Sequence, residues 1–147
     1  MQVKDIMTSA PACCTPGTSL FDVARLMAQH DCGAVPVVEG TSMHPIGIVT
    51  DRDVTVRTLA VGRDPAHLTA RDCMSSPCVT VADDCAIEDC LDAMEANQIR
   101  RIVVVDRCGR CIGLIAQADI AREVVEGQTA ELLRELSLPA AALQVTF

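Results

Sequence analysis

The sequence predicts an α/β fold made of two β-α-β-β-α repeats packed about a pseudo-twofold axis. Three observations carry that expectation. Asp5-Ile6-Met7-Thr8-Ser9 returns as Asp72-Cys73-Met74-Ser75-Ser76, and Leu20, Val23, Ala24 and Met27 return at the same offset as Ile87, Cys90, Leu91 and Met94. Each copy holds one amphipathic stretch of helical period, then two short β-branched runs joined by a polar turn. A single copy would leave one apolar sheet face bare, so the copies must cover one another, and function must lie between them.

The elements follow in order. A short apolar stretch opens each copy (Ala12 to Cys14, then Cys78 to Val81), and Pro16-Gly17 or Asp83-Asp84 turns the chain. In the helix that follows, apolar residues at i, i+3, i+4 and i+7 form one buried face. Ser19 with Asp22 has the form of a capping box, and Asp83 or Asp84 is placed to cap the second helix. Val35 to Val38 pairs with Ile46 to Val49, and Ile102 to Val105 with Ile112 to Ile115, as hairpins. A second helix starts near Asp51 in one copy and Gln117 in the other, the first ending at Gly62 before Asp64-Pro65. Thr69-x-x-Asp72 opens the second unit with another capping box, and the last helix is expected from about Ala118 to Leu136. The expected division is 1–62 for the first repeat, 63–68 for a linker, 69–136 for the second repeat and 137–147 for a tail. That tail would dock Leu143 and Phe147 onto the body or a second chain.

Composition narrows the function. The net charge of −8 argues against general affinity for nucleic acid, which needs a basic face to displace counterions. Without Trp or Tyr, and with only Phe21 and Phe147, stacking platforms for bases are absent. No apolar run approaches the ~20 residues of a membrane helix, and the first residues lack a secretory layout, so a cytoplasmic protein is expected. Nine cysteines should then stay reduced. Several stand where the other copy has a small residue (Cys90 for Val23, Cys73 for Ile6, Cys85 for Thr18), which suits compact core filling. No catalytic constellation and no phosphate loop is visible, so no enzyme is expected and no cofactor is called for.

Gly47-Ile48-Val49-Thr50-Asp51-Arg52-Asp53-Val54 resembles the closing signature of a cystathionine-β-synthase (CBS) domain, and Gly33 to Val38 and Arg100 to Asp106 resemble its Pro-Val-Val strand. Two full sets in order, over residues 3 to 122, make the chain similar to stand-alone bacterial CBS-domain pairs. The resemblance implies a cleft between the repeats for an adenosine-containing ligand: AMP, ADP, ATP or S-adenosylmethionine. It also implies a homodimer formed through the helices. With no output domain in the chain, signalling would pass to a separate effector protein. In such a pair Asp53 and Asp119 would take ribose hydroxyls, Thr50 would sit near ribose and phosphate, and strand residues Val35 and Pro36 would enclose the base.

The residue types suit that chemistry. A carboxylate accepts both hydroxyls of a ribose diol through charge-assisted bonds. A glycine such as Gly47 before the last strand admits close approach of a ligand or backbone. Thr50-x-x-Asp53 is also a capping box, which accounts for both residues without a ligand. In the second copy Ala116 replaces the hydroxyl while Asp119 stays, which predicts a second site weaker than the first, altered in ligand choice, or empty. Arg100 and Arg101 head a strand beside the expected cleft, either as a phosphate clamp or as surface arginines paired with acids. Arg52 lies inside the signature within reach of a phosphate, and Arg57 is read as an exposed helix residue. Cys108-Gly109-Arg110-Cys111 has the spacing of a zinc knuckle or redox pair, but the repeat alignment puts Cys111 on a strand and Cys108 in a turn. A cysteine-based metal or redox sensor, and a ligand-free dimeric scaffold or stress protein, are the competing functions.

Overall fold

The structure, a computed structural model, describes residues 1–135. The expected order of elements is present except at the start of the first repeat, where Ala12 to Cys14 form only a single bridge, Cys14 with Val37, and the strand lies earlier, at Thr8–Ser9. In the first repeat these are β1 (Thr8–Ser9), α1 (Leu20–His30), β2 (Ala34–Val38), β3 (Pro45–Thr50) and α2 (Asp51–Arg57). The second has α3 (Ala70–Cys73), β4 (Thr80–Ala82), α4 (Ile87–Ala96), β5 (Arg101–Val105), β6 (Cys111–Ala116) and α5 (Gln117–Glu135). The expected tail lies outside the described residues.

The repeats do not merely face each other; each completes the other. Strand β1 of the first repeat pairs with β6 of the second, Thr8 opposite Leu114, in a sheet of order β1-β6-β5-β4. In the two-stranded β2-β3 sheet the matching edge is a bridge from Ile48 to Ser75. Two backbone bonds repeat the exchange: the Val3 amide donates to the Cys85 carbonyl, and the Ala70 amide to Thr18. Val3 is fully buried in the second repeat's core beside Ile87, Cys90, Ile102, Ile115 and Ile120, whereas Ala70 lies in the first repeat's core beside Val23, Val35, Val37 and Val49. Burying a valine of this kind stabilises by about 1.5–3 kcal/mol, so each unit owes part of its core to the other's first turn.

The same exchange explains two mid-strand glycines. A Cβ on Gly47 would lie 2.7 Å from the Met74 sulfur and 2.9 Å from the Ser75 carbonyl oxygen, and one on Gly113 would strike the Met7 sulfur. What approaches these glycines is the partner repeat's methionine rather than a ligand. The inner faces of the two sheets meet in a further cluster of Val38, Val103 and Cys111, flanked by Cys13, Ile48, Cys78 and Leu114. Cys73 and Cys90 are fully buried, as core filling requires, and burial pushes the Cys90 thiol up to about 11.

Local differences have local causes. Helix α2 stops at Arg57, because Thr58 leaves helical geometry and a 3-10 turn over Leu59–Val61 carries the chain to Gly62 in the left-handed region. Ser19 caps α1 by accepting from the Asp22 amide, but the reciprocal arm is missing because Asp22 turns to Arg25 at 2.8 Å. Neither Asp83 nor Asp84 caps α4. Its N-cap is Ala86, and the Ile87 amide donates to the Met1 carbonyl of the exchanged segment instead.

Candidate functional site

Both signature aspartates occupy the third position of a helix beginning at the end of a strand, and each carboxylate accepts the amide three residues back. Asp53 accepts from Thr50 N–H at 3.0 Å and Asp119 from Ala116 N–H at 3.2 Å. Their surroundings differ. Around Asp53 the capping box is closed by the Asp53 amide donating to Thr50 Oγ1 at 3.0 Å. Ser75 Oγ donates to Asp53 Oδ2 at 3.5 Å, and the Arg57 guanidinium stands 3.8 Å from Oδ1. Arg57 is itself anchored, donating to the carbonyls of Cys73 at 2.9 Å and Met74 at 2.6 Å and to Ser75 Oγ at 3.2 Å. Asp53 is left with its side chain only 16% exposed, and both its oxygens face protein partners.

Asp119 lies beside a cleft of about 250 Å³ that joins the repeats. The first repeat contributes Thr8 and the α1–β2 loop, Asp31 to Ala34; the second contributes Arg101, Leu114, Ala116 and Asp119. The loop turns into the cleft because Asp31 ends α1 in a left-handed conformation while the Cys32 amide returns to the Met27 carbonyl. Ala116 bears no hydroxyl to close a box, and the residue four beyond Asp119 is Glu123, where the first repeat has Arg57. One polar partner reaches Asp119 from the helix surface, Arg122 at 3.7 Å. The carboxylate keeps 32% of its surface, twice that of Asp53.

Arg101 crosses from β5 to the first repeat. Its guanidinium lies over Gly33, where an added Cβ would come within 2.7 Å of a terminal nitrogen, and stands 3.9 Å from Asp51. Asp51 is tied to the same loop through its amide, which donates to the Gly33 carbonyl at 2.9 Å. The cleft lining thus carries one cation, Arg101, and two carboxylates, Asp31 and Asp119, groups able to meet hydroxyls and negative charge on a ligand.

The remaining sequence candidates disperse. Arg100 is exposed and borders a separate groove with Leu91, Glu95 and Gln98, so the two arginines do not form one clamp. Arg52 is exposed on α2. Val35 is fully buried with Val23, Val37 and Val49; Pro36, opposite Ile48, lies on the other face of the strand and is buried as well. The Cys108-x-x-Cys111 pair separates: Cys108 is exposed in a turn held by Asp106, while the Cys111 thiol lies 3.9 Å from that of Cys13. Thr8, Asp31 to Gly33 and the anchoring role of Arg57 escaped the sequence reading. The repeated hydroxyl at Thr8 and Ser75, each following Met in the duplicated opening, was the available signal for the first.

Comparison with known proteins agrees with the fold. The family model described as CBS domain matches twice, at residues 3–57 and 70–126. The chain is 36% identical over 128 residues to the CBS domain-containing protein YhcV of Bacillus subtilis, covering 87% of this chain and 89% of the relative. It is 32% identical over 139 residues to Hypoxic response protein 1 of Mycobacterium tuberculosis, covering 94% and 95%. A structure of Hypoxic Response Protein I with two coordinated zinc ions superposes with a TM-score of 0.73 at 32% identity, covering 83% of this chain and 98% of the other. CBSX2 in complex with AMP superposes with a TM-score of 0.74 at 22% identity, covering 84% and 91%, a likeness of fold.

Proposed function

The chain belongs to the CBS domain family as a tandem pair, and on that premise we propose that it is a regulatory module binding one adenine nucleotide in the cleft beside Asp119. Asp119 takes the ribose hydroxyls and Arg101 the phosphate. The carrying observation is that Asp119, about one-third exposed, and Arg101 line one cleft of about 250 Å³, while the equivalent carboxylate at Asp53 is spent inside the protein. The AMP held by CBSX2 in the same fold supports the ligand class. At ~300 Å³ and above for typical small-molecule pockets, the cleft is small, which suits a nucleoside monophosphate better than a longer chain of phosphates.

Occupancy would bind Asp119 and Arg101 of the second repeat to the Asp31–Ala34 loop of the first, tightening an interface already shared through the exchanged segments. The output passes to an effector protein through a homodimer. Helix residues Phe21, Val56, Val124 and Val125, all exposed, supply an apolar surface for that assembly.

A thermal-shift series with adenosine, AMP, ADP, ATP and S-adenosylmethionine tests the reading. A ligand bound only by the folded state raises Tm, by about 2.7 kcal/mol of stabilisation at a hundredfold excess over Kd. AMP should give the largest shift among compounds at equal concentration. No response to any of them would leave a scaffold that works through protein surfaces alone.

A further inference from the structure

Cys13 and Cys111 are far apart in the chain, yet their sulfurs lie 3.9 Å apart where the two repeats meet. Cys13 follows β1, the segment the first repeat lends to the second, and Cys111 begins β6, the strand that receives it. We infer that Cys13 and Cys111 form a reversible disulfide across the repeats when the protein meets a hydroperoxide. This device is independent of any nucleotide.

The geometry is close to bonding. A disulfide needs sulfurs ~2.05 Å apart, and the remaining ~2 Å lies within reach of side-chain rotation. Cys13 is half-buried, hence accessible to a small oxidant, while Cys111 is 7% exposed and shielded from one. The contact with Cys111 lowers the Cys13 thiol below its ordinary value, and the same contact, with burial, raises Cys111. The greater exposure of Cys13 casts it as the attacking sulfur and Cys111 as the resolving one. Cys14 and Cys78, both pushed up to about 11 by burial, stay protonated and slow.

The chemistry balances in two displacements. The Cys13 thiolate attacks the hydroperoxide oxygen, the O–O bond breaks, and an alcohol or water leaves, giving the Cys13 sulfenic acid. The Cys111 sulfur then displaces the hydroxyl, which departs as water with the Cys111 proton, and the S–S bond forms. Two thiols are oxidised and one peroxide bond is reduced. A dithiol reductant reverses the change by exchange. Because the bond joins residues 98 positions apart, it restrains the unfolded state as well as fastening β1 to β6.

The test uses the full chain, reduced, desalted and treated with hydrogen peroxide, its remaining thiols alkylated before peptide mapping. The expected result is a Cys13–Cys111 linked peptide that has lost two hydrogens, with a raised Tm that returns to its starting value under dithiothreitol. Cys13→Ser should lose both the linked peptide and the Tm gain, and Cys108→Ser should keep both. Linkage of Cys13 to Cys14 or Cys78, intermolecular linkage through Cys108 alone, or Cys13 over-oxidised beside a free Cys111 would each overturn the inference. The mapping on the native sequence decides the matter even if a variant fails to fold.

Discussion

The two helix starts carry the same acid at the same position, yet one is closed and the other open. At Asp53 the carboxylate completes a capping box with Thr50 and is crossed by Arg57 and Ser75; at Asp119 the hydroxyl is gone and the cleft remains. A polar group that already has its bonds gains little from a ligand, since binding must first break them, whereas Asp119, with fewer protein partners and twice the exposure, gives up more water and fewer bonds. Losing the signature hydroxyl therefore frees the second aspartate. The proposed site at Asp119 thus runs against the ranking expected from sequence, where Ala116 predicted a second site weaker, altered in ligand choice, or empty.

That comparison can be broken most sharply at Asp119. Asp119→Ala should weaken AMP binding by about tenfold to a hundredfold, the cost of about 1.5–3 kcal/mol for lost charge-assisted hydrogen bonds, with little change in Tm. Asp53→Ala should do the reverse. Calorimetry should find AMP affinity within about twofold of the native value, while denaturant unfolding loses about 1–2 kcal/mol with the cap. Equal losses of affinity in the two variants would erase the distinction.

The next effects concern the exchanged segments that build both sites. Val3→Ala should cost about 2 kcal/mol by opening a void in the second repeat's core, although Val3 belongs to the first repeat. Gly47→Ala should cost about 1–3 kcal/mol, because the Ser75 carbonyl facing it is backbone and cannot step aside. Urea midpoints check both, and a single cooperative transition is expected in each. A variant in which one repeat melts alone would show that the exchange matters less than the contacts suggest.

A finer probe is Gly33→Ala. The new methyl would displace the Arg101 guanidinium, a flexible group, so binding of AMP should fall several-fold while binding of adenosine changes less. An equal fall for both ligands would place Arg101 away from the phosphate.

The smallest effect is in acid. Asp72 and Asp106 are both held below the usual carboxylate value, Asp72 chiefly by the Thr69 amide and Asp106 chiefly by the Arg110 amide. Their folded pKa is depressed, so their contribution is present above the unfolded value of ~3.9 and fades as pH falls through the lower folded value. Asp106→Asn should lower stability near neutrality and flatten its fall with acid below about pH 4, so that acid titration of unfolding shows the two proteins converging at low pH.

The architecture was legible because it rests on periodicity. Helical spacing in Leu20 to Met27 and its copy, the Val/Ile hairpins, and the duplication itself all have local causes that sequence displays. The site was only half legible. Asp119 and Arg101 could be named from the repeat, but which aspartate is free depends on Arg57 reaching the carbonyls of Cys73 and Met74 across the exchanged edge. That contact joins residues from different repeats and leaves no mark in local pattern. Val35 meets a related limit. Strand alternation says that one set of valines faces outward and the other inward, but not which side the cleft will take.

The most direct test of the account is the stoichiometry of AMP binding by titration calorimetry on the native chain. One nucleotide per chain, at the Asp119 cleft, is expected. Two equivalent nucleotides per chain, or one whose binding vanishes with Asp53→Ala and survives Asp119→Ala, would contradict it.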